Sequence, residues 1–291
     1  MITIKNWKNI KTISFLAIAI LVTYSIINIL LQSHNTHVIN LATTSSLYDS
    51  GLLPSLTNLF YEQTGIKVNI IVSDSGQAFI LAKNQDVDTI ITHAPDKEIE
   101  FVKQNYGIKR YPLFYNSFII VGPPNDPANI QSSTTIIDVF KKIYFNKKYF
   151  VSRADMSGTH LKEMEIWSKS NLQPQNQSWY LKAGCGMADA LRLASEKGAY
   201  TITDIATFII YRSKLNLIRL FQNDYNLINI YSIIELNPKK LSKSKYSKAK
   251  QFIQFLNSAT SKQFIQEFGK KQYASQLFYV YNINDIEKLY Y

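Results

Sequence analysis

The chain has 291 residues, 46 % apolar and 18 % charged, a globular composition that excludes disorder. Its formal charge is +11, and a basic chain can meet nucleic acid or an anionic surface. Here the charge is scattered, and RNP, helix-turn-helix and zinc-finger patterns are lacking. A single cysteine, Cys185, rules out an intrachain disulfide and a CxxC zinc site.

The opening segment MITIKNWKNIK carries Lys5, Lys8 and Lys11 and no acid, and an uncharged run, ISFLAIAILVTYSIINILL, follows over 13–31. At about 1.5 Å per residue that run can just cross a hydrocarbon core. Residues 1–37 therefore read as a signal peptide or an N-terminal membrane anchor, with the lysines on the cytoplasmic side. A clean small-x-small site is missing, so cleavage stays open. Removing the three lysines of residues 1–40 from the total of +11 leaves a body of +8 with no second apolar span. That body is expected to be soluble and periplasmic or otherwise extracytoplasmic.

From residue 38 onward, β-rich runs alternate with helical patterns. VINLA (38–42) predicts a strand, and GLLPSLTNLFYEQTG (51–65) a helix with Leu52, Leu56, Leu59 and Phe60 on one face and Gly65 as a stop. KVNIIV (67–72) and VDTIIT (87–92) read as strands, AFILAKN (78–84) and KEIEFVKQN (97–105) as helices. LFYNSFIIVG (113–122) is a longer β run. GPPNDPANI (122–130) is a break that marks the crossing into a second lobe. YFVS (149–152) predicts a strand, followed by a helix through Trp167. MADALRLASEKG (187–198) reads as a helix, AYTIT (199–203) and NIYSIIELNP (229–238) as β runs. The six lysines of KKLSKSKYSKAK (239–250) read as a solvated loop and helix start. SKAKQFIQFLN and SKQFIQEFG close the chain as helices.

This alternation predicts an α/β fold of two lobes, each a mostly parallel sheet flanked by helices. The lobes are drawn as 38–122 plus 231–291 and as 123–230. Ligands of such proteins bind in the cleft between lobes.

Four loops share one design: ATTSS (42–46), SDSGQ (73–77), RADMSGTH (153–160) and AGCGM (183–187). Each follows a predicted strand, is rich in Ser, Thr or Gly, and precedes a helix. A helix N-terminus offers unpaired amides and the positive end of a dipole, which suits an anion. Hydroxyls add donors, glycine lets the backbone approach closely, and arginine gives a planar fork for an oxyanion. RADMSGTH combines all of these, with Ser157 as N-cap and Arg153 folding back over the turn. A protonated phosphate needs an acceptor for its hydrogen. The loop after the third predicted strand, THAP (92–95), offers His93 and no acid. Asp74 and Asp155 lie in neighbouring loops. A site made of donors prefers a fully ionised oxyanion such as sulfate, molybdate or tungstate. A hydrogen bond to a charged group contributes about 1.5–3 kcal/mol, so six to eight donors suffice on paper for the ~12 kcal/mol of a nanomolar site.

These stretches resemble the TupA-type tungstate-binding proteins, extracytoplasmic solute-binding components of ABC transporters. The likeness runs from about Leu41 to about Phe278 and rests on LATTSSLYDSGLLPSL, FYEQTGIKV, SGQA, DVDTIITHAPDKEIEFV, YGIKR, YNSFIIVGPPNDPANI, FVSRADMSGTHLKE, GCGM and AYTITD, in the family's order. It implies a two-lobed type II periplasmic-binding-protein fold, no cofactor, and tungstate as ligand with molybdate second. It also implies delivery to an inner-membrane permease by a monomer that binds no nucleic acid. By position it assigns the ligand to Thr43, Thr44, Ser45 and Ser46, to Ser75 and Gly76, to Arg153, Ser157, Gly158 and Thr159, and to Cys185 and Gly186 in the loop from Gly184 to Met187. Cys185 stands where the family usually has Gln, Ile205 where Arg is usual, Ala154 where Gly is usual and Met156 where Asp is usual. Asp74-Ser75 replaces the family's usual Thr-Gly.

Other classes fit less well. Ser157 and His160 sit at one helix start where their side chains diverge, and a GxSxG elbow is missing, so an enzyme is not expected. No His/Asp/Glu cluster has metal-ligand spacing. A membrane-tethered oxyanion sensor, or a receptor for sulfate or phosphate, is the alternative.

Overall fold

The computed structural model describes residues 37–284 and, before them, Thr23. The apolar run at 13–31 otherwise lies outside the described residues. Among the described residues no helix is long and apolar enough to cross a membrane.

The first lobe is built on a sheet in the order β10-β4-β9-β3-β1-β2. Its strands are β1 (Val38–Thr44), β2 (Lys67–Ser73), β3 (Thr89–Thr92), β4 (Gly107–Gly122), β9 (Ile228–Leu236) and β10 (Tyr279–Val280). The second lobe uses β5 (Phe150–Ser152), β6 (Tyr180–Lys182), β7 (Thr201–Asp204) and β8 (Ile218–Phe221). β5 pairs with β6, and a bridge from Phe150 to Tyr200 joins this pair to the start of β7.

β4 belongs to both lobes. From Gly107 to Ser117 it pairs with β9, and from Phe118 onward it pairs with β7, then also with β8. The partner change at Ser117/Phe118 divides β4 between the two sets of strands. The sheets are also more mixed than the strand–helix alternation predicts. β1–β3 and β5–β6 are parallel, whereas β9 inserts between β3 and β4 and runs antiparallel to both. A strand that returns from a second lobe enters from the opposite end, so the crossover reverses its direction.

Local chemistry explains most elements. The helix Leu52–Thr64 buries Leu52, Leu56 and Phe60 and stops at Gly65, which sits at φ 68°. Phe60 packs on Phe252 and Phe255 of the helix Lys243–Leu256, with ring centroids 5.1 and 5.2 Å apart. The second lobe is centred on an aromatic cluster. In it Trp167 lies 4.3 Å from Phe140 and 5.5 Å from Phe150. Such rings bury large apolar areas and prefer tilted contacts.

Several elements carry no counterpart in the sequence reading, among them the helices Ile136–Phe145 and Ile205–Tyr211 and the strands β8 and β10. The first has a helical signature, with Ile136, Val139, Phe140 and Ile143 buried at helical spacing and Thr135 capping Asp138 N–H. β4 begins six residues before the predicted run at 113. Pro112 lies in the added part, and the register shifts beside it, as a proline lacking its N–H requires.

Candidate functional site

The ATTSS loop ends β1 and enters a short helix, Ser45–Asp49. Thr43 Oγ1 donates to the Ile91 carbonyl at 3.0 Å inside the sheet. Its one hydroxyl hydrogen is thus committed within the sheet. Thr44 Oγ1 and Ser46 Oγ lie 3.4 Å apart, both buried. Ser46 also hydrogen-bonds Tyr231. Ser45 is half-buried and turns its hydroxyl toward the other lobe.

The Arg153 side chain reaches across. Its Nη2 donates to Ser45 Oγ at 3.4 Å and pairs with Asp155 Oδ2. One guanidinium thereby brings together two loops 108 residues apart in the chain. Arg153 is only 4 % exposed. Asp155 Oδ1 accepts the Ser157 N–H at 3.1 Å, so this carboxylate ties the arginine to the turn that follows. Ser157 caps the helix Gly158–Lys169 by accepting the His160 N–H at 3.3 Å. His160 Nδ1 accepts the Met156 N–H at 3.0 Å. With both groups spent on the backbone, a Ser157–His160 nucleophile and base is not assembled here.

The loop is strained. Ala154 and Met156 sit at φ 49° and 59°, a left-handed region that costs a residue with a Cβ roughly 1–2 kcal/mol. The Ser152 hydroxyl accepts the Ala154 N–H at 3.2 Å and helps to hold that conformation. The AGCGM loop is laced to the same backbone. Ala183 N–H donates to Ser152 O at 2.9 Å and Gly184 N–H to Arg153 O at 2.8 Å. Gly186 is the N-cap of the helix Met187–Lys197. Cys185 is half-buried, and burial followed by the Asp189 charge pushes its thiol pKa up, with Arg153 opposing. It stands within reach of Arg153's field as an uncharged group.

The SDSGQ loop starts the helix Ser75–Lys83, where Asp74 accepts the Gln77 N–H at 2.8 Å. Ser75 is fully buried, while Gly76 lines a groove shared with Phe79, Ile80 and Lys83.

Three buried polar atoms in these loops have no partner: Ser75 Oγ, Arg153 Nε and Thr159 Oγ1. All three can donate. An unsatisfied buried donor costs about 1–3 kcal/mol, and several on expected site residues is the pattern left when an acceptor is to arrive from outside.

Sequence reasoning missed a buried polar network where β4 changes partners. His93 Nδ1 meets Asn229 Oδ1 at 2.8 Å, and Asn229 Nδ2 donates to Asn116 Oδ1 at 2.8 Å. Asn116 Nδ2 donates to Asp204 Oδ1 at 3.3 Å. Burial pushes the His93 pKa down to about 4, so the ring is neutral. Burial likewise raises the Asp204 pKa, against hydrogen bonds from Thr207 and Asn116 and the Arg153 charge. His93 stacks on Tyr231 with centroids 5.0 Å apart. It also lies so close to Gly158 that an added Cβ would stand 2.2 Å from its Cε1. Only glycine fits at that first helical residue. Positions 93, 116, 204 and 229 share no local motif, so only the fold brings them together.

Residues 32–260 match the PBP superfamily domain. The chain is 38 % identical over 240 residues to the tungstate-binding protein TupA of Peptoclostridium acidaminophilum, covering 82 % of this chain and 84 % of that protein. It belongs to the TupA-type family of the PBP superfamily. Among solved structures, the tungstate-binding protein TupA from Desulfovibrio alaskensis G20 superposes with a TM-score of 0.73 at 35 % identity, covering 84 % of this chain and 98 % of that one. The tungstate ABC transporter structure from Geobacter sulfurreducens gives a TM-score of 0.71 at 37 % identity, covering 79 % and 98 %. The matched stretch 32–260 includes Ser45 and Arg153.

Proposed function

We propose that the protein captures a fully ionised tetrahedral oxyanion, tungstate first and molybdate second. It then delivers the anion to an ABC permease outside the cytoplasm. The observation that carries this reading is the Arg153–Ser45 bond between loops 108 residues apart, together with three partnerless buried donors on the expected loops, Ser75 Oγ, Arg153 Nε and Thr159 Oγ1. The TupA relatives and the tungstate ABC transporter structure from Geobacter sulfurreducens support tungstate and the transport role.

In this reading the ligand is met by Thr44, Ser45 and Ser46 from the first lobe, with Ser75 and Gly76. From the second lobe come Arg153, Ser157, Gly158 and Thr159, and Cys185 and Gly186 close the site. Lobe boundaries fall at 122/123 and 230/231, and residues 1–37 export or anchor the chain. Nothing is catalysed. Asp155 is engaged within its own loop, Oδ2 with Arg153 and Oδ1 with the Ser157 N–H, and in this reading it serves to hold the arginine rather than to meet the ligand. Discrimination against sulfate then rests on size, since metal–oxygen bonds are longer than sulfur–oxygen bonds.

Calorimetric titration of the purified protein with tungstate, molybdate, sulfate and phosphate tests the reading. Tight binding of tungstate, with molybdate weaker, is the expected result. Preference for phosphate, or silence with all four, overturns it.

A further inference from the structure

Glu163 is a charged residue type placed where charge is costly. It lies in the second turn of the helix Gly158–Lys169, whose first turn carries the anion-facing residues, and it is fully buried. Its Oε1 accepts from Tyr180 Oη at 2.6 Å and from Trp167 Nε1 at 3.1 Å. Its Oε2 is buried with no hydrogen-bond partner. The surroundings supply no counter-ion. From β5 it is faced by Ser152, from β6 by Tyr180, from its own helix by Trp167, and the charge acting on it is that of Asp155 in the loop before the helix. The helix Ile136–Phe145 adds Phe140 against Trp167.

A carboxylate in such a site keeps one oxygen unsolvated and unpaired, which is expensive. A neutral carboxylic acid is not. Its hydroxyl on Oε2 has an acceptor at hand in Ser152. That hydroxyl stands beside the carboxyl without a well-directed bond to Oε2 in the unprotonated geometry. Ser152 Oγ already accepts the Ala154 N–H, and a hydroxyl oxygen can accept twice. A proton on Glu163 would therefore fasten both neighbours of Arg153 to the helix that begins with the anion turn.

We propose that Glu163 is a positioning residue that works as the neutral acid, so that capture of a doubly charged oxyanion at the Arg153 loop takes up a proton at Glu163. This rests on the reading of the site as an oxyanion receptor. The direction follows from charge: a dianion arriving near a buried carboxyl favours its protonated form. Burial already raises the Glu163 pKa to about 7, with Tyr180, Ser152 and Trp167 lowering it and Asp155 raising it. The free protein thus holds this proton only partly at neutral pH.

The test is tungstate calorimetry on the full chain between pH 6 and 8.5, in buffers of different ionisation enthalpy. The expected result is proton uptake near zero at pH 6 that approaches one per anion at pH 8.5. Affinity should fall by up to about ten-fold per pH unit above neutrality. Glu163→Gln, which fixes the neutral form, should bind with affinity independent of pH and without that uptake. Tungstate binding with no proton uptake in the wild-type protein overturns the proposal, as does an unchanged slope in Glu163→Gln. Trp167 donates to the same carboxyl, so its fluorescence in the ligand-free protein should titrate near pH 7 and lose that step in Glu163→Gln. If the variant does not fold, the wild-type uptake and fluorescence step decide alone. If tungstate does not bind but the fluorescence step is present, the receptor reading fails while the neutral acid stands.

Discussion

The two lobes bring hydroxyl-rich loops to one place and use them differently. In the first lobe the hydroxyls are largely spent at home. Thr43 serves the Ile91 carbonyl, Thr44 and Ser46 face each other, and Ser46 meets Tyr231. In the second lobe the loop is held by other means: a left-handed backbone at Ala154 and Met156, the Asp155 bridge, and bonds from the AGCGM backbone. That leaves Arg153 Nε and Thr159 Oγ1 unspent. In the proposed site, the pre-strained loop would supply spare donors for affinity, while the first-lobe hydroxyls, apart from the unspent Ser75 Oγ, would frame the ligand.

The contrast is broken most severely at Arg153. Arg153→Ala should remove measurable oxyanion heat, a loss of about 3–5 kcal/mol for a charge-assisted site, while circular dichroism stays native. Normal binding by this variant would sink the site assignment. Next in size is the buried acid beneath the loop. The Glu163 pKa is raised from 4.5 to about 7 in the folded protein, so the folded state holds the proton more tightly than the unfolded chain. That stability is complete below about pH 4.5, declines as pH rises, and is gone above about 7. The urea midpoint should thus fall between pH 5 and 8 by the equivalent of roughly 3 kcal/mol at most, and Glu163→Gln should lack the fall.

The lobe comparison itself is sharpened by a matched pair of threonines. Thr159→Val deletes an unspent donor and should weaken tungstate binding about ten-fold or more with thermal stability unchanged or slightly raised. Thr43→Val deletes a spent one and should cost about 1 kcal/mol of stability with little change in affinity. Equal effects on binding would erase the distinction between the lobes. Smallest is Ala154→Gly, which relieves a positive φ of 49° and should stabilise the protein by about 1 kcal/mol, read as a rise in melting temperature.

Much of this was legible beforehand because it is local. Gly65, the Ser157 cap and the apolar face of Leu52–Thr64 act within a turn or two of chain, and their sequence signals are direct. The four loops could be picked out for the same reason. What stayed hidden depends on distance. That Thr43 points into the sheet is set by its pairing opposite Ile91, which alternation alone does not reveal. Gly158 reads as a generic turn glycine until His93 is placed against it. The Asn116–Asn229–His93 chain needs β4 and β9 side by side. The helix Ile136–Phe145, by contrast, had a readable apolar spacing that the sequence reading passed over.

The position of β9 has a consequence for the order in which the protein can be made. β9 lies between β3 and β4, yet the whole second lobe separates it from β4 in the chain. While residues 107–227 emerge, the first-lobe sheet stands open, with one side of β3 and the long β4 offering unpaired backbone groups. Such edges invite pairing with other chains, and closing them needs contacts far apart in sequence, which form slowly. Nascent chains shorter than about residue 236 should therefore be the form most prone to aggregate, and the last third of the polypeptide is what seals the first.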